Sequence, residues 1–327
     1  MATFIDIVLL AFLAMTALSA ARLNDLFAVV MLFGIYSLLS AAVFVSLDAV
    51  DVAFTEAAVG AGISTVLMLT TLALTSRDEH KTRHGAPLAL LVVTVTGGAL
   101  VYGTFDMPPF ADPGAPVHQH VAPHYIEESP RETGIPNIVT SVLASYRGYD
   151  TLGEVTVIFT AGIGVLALLG SGRRRIVPVP PPDSPELLSR HPVLFVVTKL
   201  VIPMILLFAL YVQFHGDFGP GGGFQAGVIF AAAIILYALV FGLERARRAI
   251  PASALKLLMA SGVLLYAGVG VAGMIAGGKY LDYNVLAHDP VHGQHLGIFL
   301  VELGVGITVT AVMITIFFTF AGRADRP

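Results

Sequence analysis

The sequence predicts an all-α polytopic membrane protein with about nine transmembrane helices, an outer N-terminus, an inner C-terminus and an amphipathic helix at the membrane surface. Of its 327 residues 56% are hydrophobic and only 12% are charged, and the mean hydropathy is +0.83. Soluble domains carry about twice this share of charged residues. Apolar runs long enough to cross a hydrocarbon layer, which takes roughly 20 helical residues, lie at about 3–21, 26–47, 51–75, 87–105, 150–170, 192–213, 223–243, 253–277 and 295–320.

The predicted orientation follows from the basic residues, which concentrate in the inner loops of membrane proteins. With the N-terminus outside, 14 lysines and arginines fall in inner loops or the C-terminal tail. Only Arg131, Arg147 and Lys279 fall outside, and Lys199 lies within a helix. The bias recurs in every inner loop, so it also supports the count of nine spans.

Composition excludes several functions. The chain has no cysteine, which excludes thiolate-bound iron–sulfur clusters, disulfides and thiol catalysis in this chain. We therefore expect no catalytic residue and no cofactor other than transported Na⁺ or H⁺. The net charge of -4 is too small to suggest a nucleic-acid partner. The first apolar run has no basic residue before it and contains Asp6, so we expect a retained helix rather than a signal peptide.

Residues between the spans divide the chain into modules. We predict a three-helix module (1–80), a two-helix module (81–175), a proline-rich inner linker (176–190) and a four-helix module (191–327). Residues 106–134 form an outer loop rich in proline and histidine. Residues 135–148 place apolar side chains on one helical face and predict the surface helix: Ile135, Ile138, Val139, Val142, Leu143 and Tyr146.

Of the ionisable residues inside the predicted spans, four matter as candidates: Glu56, Glu154, Lys199 and Glu302. Such a side chain costs several kcal/mol in a hydrocarbon layer unless it faces protein or water, so each is a candidate for an ion or proton path. The acids lie in the outer half and Lys199 in the inner half, as a relay would require. Gly60 and Gly62, which follow Glu56, weaken the helix and predict a bulge or hinge.

Three of the four candidates also have a plainer interpretation. Glu56 could be hydrogen-bonded at a helix interface, and Glu154 could belong to an interfacial ion-pair cluster with Arg147 and Asp150. Lys199 could extend its amine to the membrane surface.

Histidines cluster on the predicted outer side. His288, His292 and His295 have helical spacing, but Pro290 argues against one continuous helix. The others are His118, His120, His124 and His215. Solvated loop histidines are the more common case, and we predict no metal site.

The segment HGDFGPGGGFQAG, residues 215–227, is rich in glycine and precedes an apolar run. No Lys-Ser or Lys-Thr follows the glycines and the G-x-G-x-x-G spacing fails, so it is not a phosphate loop. We expect a tight turn whose N–H groups, at the start of the next helix, could hold an anionic group.

This segment resembles the signature of the B subunit of Mrp-type multisubunit cation/proton antiporters. The matching residues are His215, Pro220, Gly221, Gly222, Gly223, Phe224 and Gly227. The last span, HLGIFLVELGVGITV, is similar to the version of this subunit in membrane-bound hydrogenases, where a Glu takes the place of Glu302. Residues 1–80 resemble the later part of the large A subunit, and residues 87–175, with DTLGE, resemble the segment that follows it there.

The resemblance implies a membrane subunit related to the membrane arm of complex I, with Glu56 and Gly60 on a helix that switches between regular and bulged forms. It implies that Glu154 takes part in ion transport. The expected partners are large antiporter-like subunits, small membrane subunits and the lipid bilayer of a bacterial or archaeal cell membrane. Two alternatives stay open: the ion-translocating module of a respiratory complex such as a hydrogenase, and a structural scaffold without a transport role.

Overall fold

The computed structural model describes residues 2–80, 86–109, 112–170 and 192–324. The described chain is almost entirely helical and contains no strand. Nine helices in these ranges are long and apolar enough to cross a membrane. They are α1 (Ala2–Ala20), α2 (Leu26–Ser46), α3 (Val50–Leu72), α4 (Ala86–Thr104), α5 (Gly148–Leu169), α6 (Pro192–His215), α7 (Gly223–Phe241), α8 (Ala252–Ile275) and α9 (Pro290–Ala324).

Helix α9 forms the centre of the bundle. It packs against α5, α6, α7, α8 and the last turns of α3. Its inward side chains are apolar and almost fully enclosed, among them Ile298, Val309, Ile314 and Phe317. Gly262 of α8 faces Gly304 of α9, and an ideal Cβ on either would lie within 2.7 Å of the other's carbonyl oxygen. Small residues therefore set the close approach of these two helices.

Helices α1, α2 and α3 form the first module, and a polar cap joins the ends of α2 and α3. Asp25 accepts hydrogen bonds from the backbone N–H groups of Phe27 (2.9 Å) and Ala28 (3.4 Å) at the start of α2. The guanidinium of Arg77, beyond the end of α3, lies 2.8 Å from the same carboxylate. That hydrogen bond holds the pKa of the exposed Asp25 carboxyl below its usual value.

Two sequence expectations need correction. Helix α9 begins at Pro290, several residues before the predicted start, because proline is well tolerated in the first turn of a helix. His292 and His295 lie in this helix and His288 precedes it, so the three histidines do not share one continuous helix, as predicted.

The predicted surface helix is a short helix, Ile138–Thr140, continued by a π-helix, Ser141–Tyr146. Its buried side is formed by Thr140, Ser141 and Ala144, while Leu143 is exposed. Of the predicted apolar face, Ile135 is fully buried, so the segment packs onto the bundle through apolar as well as small side chains.

The remaining connections are also partly helical. Three short helices, Pro116–Gln119, Val121–Glu127 and Ser129–Glu132, interrupt the proline-rich loop. The helix Leu243–Ala249 follows α7, and a 3₁₀-helix, Tyr283–Leu286, precedes α9. The predicted linker, residues 176–190, lies outside the described residues.

A candidate site around the glycine turn

The segment from Gly216 to Gly222, called here the glycine turn, joins α6 to α7 at one end of the bundle. The Gly222 N–H donates to the carbonyl of Val212 (3.0 Å), which closes the turn. Gly222 has φ +105°, a conformation that favours glycine. The end of the bundle that holds this turn is called the turn end.

Asn137 fixes the glycine turn from the side. Its amide donates to the carbonyls of Gly216 (3.1 Å) and Gly219 (3.0 Å). The hydroxyl of Thr140 donates to the Gly216 carbonyl at 2.7 Å. The turn is therefore held by the segment that precedes α5, far away in sequence.

Helix α3 reaches the same turn. Asp51, in its first turn, accepts from the amide of Asn137 (3.3 Å) and from the backbone N–H of Gly221 (3.4 Å). Gln225 of α7 donates to the hydroxyl of Thr55 at 2.8 Å. Residues from all three predicted modules thus meet at the glycine turn.

Glu302 of α9 lies directly against this turn. An ideal Cβ on Gly222 would lie 2.9 Å from its Oε1 atom, and one on Gly216 would lie 2.9 Å from its Oε2 atom. Glu302 keeps some accessible surface, although protein atoms surround its carboxylate densely. Side chains at either glycine would occupy the space of the carboxylate.

The glycines after the turn serve helix packing. An ideal Cβ on Gly223 would overlap the carbonyl oxygen of Glu302, and one on Gly227 would lie 2.8 Å from the carbonyl oxygen of Gly306. The spacing of four places both on one face of α7, against the backbone of α9. The start of α7 therefore lies beside anionic groups of the chain itself, Asp51 and Glu302.

Glu56 lies immediately before an irregular part of α3. Residues Ala57–Ser64, including Gly60 and Gly62, form a π-helix. An ideal Cβ on Gly60 would lie 2.6 Å from both Oε1 of Glu56 and Oγ of Ser37 in α2. The Glu56 carboxylate thus folds back onto the bare surface of Gly60 beside the serine hydroxyl.

An apolar cavity of about 220 Å³ borders the π-helix. It lies between α3 and α7 and is lined by Ala58, Gly62, Ile63, Val66, Ala232, Ile235, Leu236 and Leu239. The cavity leaves space on the side of α3 where the backbone departs from regular α geometry.

Glu154 and Lys199 do not join the two interior acids. Both side chains are exposed on the outer surface of the helix bundle, on α5 and α6 respectively. Arg147 and Asp150 form an ion pair at 2.6 Å, one turn before Glu154 and at the turn end. The structure therefore separates the four sequence candidates into an interior pair and an outward-facing pair.

The histidines also separate. His215 stacks on Tyr211 with ring centroids 4.9 Å apart. His295 lies 3.3 Å from the carboxylate of Asp217 in the glycine turn, and both side chains are partly exposed. The more exposed His292 pairs with Asp289 at 2.9 Å. No group of metal-ligating side chains is present in the described ranges.

Sequence reasoning missed several polar residues at this site: Asp51, Asn137, Gln213, Asp217, Gln225 and Ser37. Asp51, Asn137 and Asp217 occur near predicted helix ends, where such residues usually cap helices. Gln213 and Gln225 carry no charge, and Ser37 is common in helices. One available signal was the spacing of seven between His295 and Glu302, which places them on one face of α9.

Comparison with known proteins gives three family matches in succession. Residues 11–77 match the family MbhD and residues 89–186 match the family MbhE, both of which are described as subunits of MBH. Residues 193–315 match the family described as a domain related to the MnhB subunit of Na⁺/H⁺ antiporter.

Relatives and a solved structure agree. Proteins of Staphylococcus aureus strains Newman and JH1, named as antiporter subunit mnhB2, are 37% identical over 133 residues, which cover 40% of this chain and 94% of theirs. A chain in the structure of the Mrp complex from Dietzia sp. DQ12-45-1b matches 98% of this chain with a TM-score of 0.76 and 26% identity. This chain spans only 35% of that one.

The fold and the site define a polytopic membrane protein with acidic side chains held inside its helix bundle. The chain belongs to the MnhB family of antiporter subunits, with two MBH-related modules fused before the MnhB module.

Proposed function

We propose that the chain is a membrane subunit of a multisubunit monovalent cation/proton antiporter and supplies acidic groups to its ion path. The observation that carries this proposal is the placement of Glu56 and Glu302 on glycine surfaces inside the bundle. No described ion pair includes either carboxylate. A carboxylate enclosed at membrane depth without a basic partner has to bind a proton or a cation.

Glu154 and Lys199 face neighbouring subunits in this proposal. An ionisable side chain exposed to lipid at membrane depth is costly, so a protein surface covers it. The expected neighbours are large antiporter-like subunits and small membrane subunits, as the Mrp complex match suggests. The complex lies in the bacterial cell membrane, with the turn end outside.

The π-helix in α3 supplies a conformational element. Conversion of Ala57–Ser64 to a regular α-helix rotates the residues on one side of it by about 100° relative to the other. The adjacent cavity provides room for displaced side chains. Such a rotation would move Glu56 away from Gly60 and Ser37.

Glutamine substitution tests the transport role. The assay is Na⁺-dependent proton flux in vesicles that contain the whole complex. We expect Glu56→Gln and Glu302→Gln each to lower the flux at least about tenfold. A tenfold loss corresponds to only about 1.4 kcal/mol of interaction free energy between the carboxylate and the bound ion. Glu79→Gln is the matched control, because Glu79 is exposed and lies outside the spans.

Native gels must show that each variant assembles. If both interior variants assemble and transport like the wild type, the chain is a structural scaffold and the proposal is wrong.

A second candidate function is the ion-translocating module of a respiratory complex. The two matches to MBH families favour it specifically. Purification in mild detergent followed by mass spectrometry distinguishes the candidates. Co-purifying iron–sulfur or nickel–iron subunits would support the respiratory complex, and antiporter-like subunits alone would support the antiporter.

A further inference from the structure

A line of polar groups runs along one face of α9 from the turn end into the bundle. His295, Glu302 and Gly306 are spaced by seven and four residues and therefore share this face. The glycine turn lies across the same face. Asp217 contacts His295 at 3.3 Å, and its neighbour Gly216 lies against the Glu302 carboxylate.

The described charged or titratable groups near Glu302 are two carboxylates and one imidazole. Asp217 of the glycine turn and Asp51 of α3 are the charges that act on it. His295 lies on α9, the helix that also carries Glu302. The neighbouring helix α6 contributes the neutral Gln213, and α7 contributes only glycine backbone. Among the described residues no lysine or arginine balances the carboxylate, so a mobile cation has to do so.

Gln213 supplies an unpaired hydrogen-bond donor near Glu302. Its side chain is only 8% exposed, and its Nε2 atom has no hydrogen-bond partner among the described residues. Its Oε1 atom would lie 2.5 Å from an ideal Cβ on Gly306, one helical turn from Glu302. An unpaired amide N–H can donate to a bound water or to a carboxyl oxygen.

We propose that Glu302, with Gln213, forms an enclosed proton site that contains bound water and exchanges protons with the aqueous phase at the turn end through His295 and Asp217. The imidazolium of His295 gives its proton, through water, to the Glu302 carboxylate. The neutral imidazole then takes a proton from bulk water. Asp217 positions the ring. The proton site does not depend on the proposed antiport, but its role in transport rests on that proposed function.

Infrared difference spectroscopy on the reconstituted complex tests the site without measuring transport. A pH jump should produce a C=O band of a protonated carboxyl group that Glu302→Gln removes and Glu302→Asp retains. Gln213→Leu should shift the band, because the protonated carboxyl loses hydrogen-bonding partners. If Glu302→Gln leaves the spectrum unchanged, or if Na⁺ rather than pH controls the band, the proton site is refuted.

The entrance is tested by the rate at which the band shifts after transfer to D₂O. His295→Gln should slow this exchange at least about tenfold, as expected for loss of a positioned acid–base group. His292→Gln is the matched control, since it removes an exposed histidine of α9 that also pairs with an aspartate, Asp289, which precedes the helix. Equal exchange in the wild type and His295→Gln would overturn the proposed entrance.

The same preparations separate the two proposals. A titrating Glu302 band in a complex without Na⁺-dependent proton flux would support the proton site and contradict the proposed antiport. Antiport without such a band would contradict the proton site alone.

Discussion

Replacement of Gly223 by alanine tests whether the glycine motif serves helix packing. A Cβ there would overlap the carbonyl oxygen of Glu302 and lie 2.8 Å from its carbonyl carbon, whereas ordinary contact begins at 3.4 Å. Relief of the carbon contact requires α7 and α9 to separate by about 0.6 Å, and the closer oxygen contact requires more, so the gap is at least this wide. A gap of about this size forfeits a quarter to a half of the dispersion energy of the atoms that line it.

The lining residues are well packed, since Val228 and Ala231 of α7 are 1% and 0% exposed. We therefore expect Gly223→Ala to lower the free energy of unfolding by about 3 kcal/mol, at the upper end of ordinary overpacking costs. For a chain of this size the melting temperature should fall by about 4 °C. Because the chain has no tryptophan whose fluorescence could report unfolding, the melting temperature is measured by far-ultraviolet circular dichroism of the purified protein in detergent.

Gly98→Ala is the matched control for the same substitution. Gly98 lies within α4, and an ideal Cβ there would meet no atom within 4 Å. Alanine is the better helix former by about 1 kcal/mol, so this variant should be slightly stabilised. Opposite signs for the two substitutions support the packing role, and a Gly223→Ala protein as stable as the wild type would refute it.

Three further predictions concern other contacts. Asn137→Ala should lower the melting temperature by about 3 °C, because its loss breaks hydrogen bonds worth about 2 kcal/mol in total, and an unchanged melting curve would contradict the proposed anchoring of the glycine turn. The hydrogen bond from Arg77 lowers the pKa of Asp25 in the folded protein. The contribution of Asp25 to stability is therefore present above the unfolded pKa and is lost as the pH falls through the folded pKa. Arg77→Gln should reduce the acid sensitivity of the melting temperature below about pH 4. Because the chain has no cysteine, single replacements report orientation: an impermeant maleimide added to intact cells should label Phe218→Cys but not Glu79→Cys, and the reverse would invert the predicted topology.

The orientation, the module boundaries and the roles of the acids rest on different kinds of information. Loop charges predict orientation, and the three family matches give the succession of modules. The identity of Glu56 and Glu302 as candidates came from hydropathy alone. Hydropathy could not separate them from Glu154 and Lys199, because it records depth along a helix and not which face meets protein.

The sequence by itself determined the nine helices of the described ranges that are long and apolar enough to cross a membrane, since length and apolarity are local properties of each segment. It also determined that the glycine run is no phosphate loop, because that motif is read from spacing. Only the tertiary structure decided that Asp51, Asn137, Asp217 and Glu302 meet at one turn. Their contacts depend on how α3, α6, α7 and α9 pack, and packing between distant segments leaves no periodic pattern in any one of them.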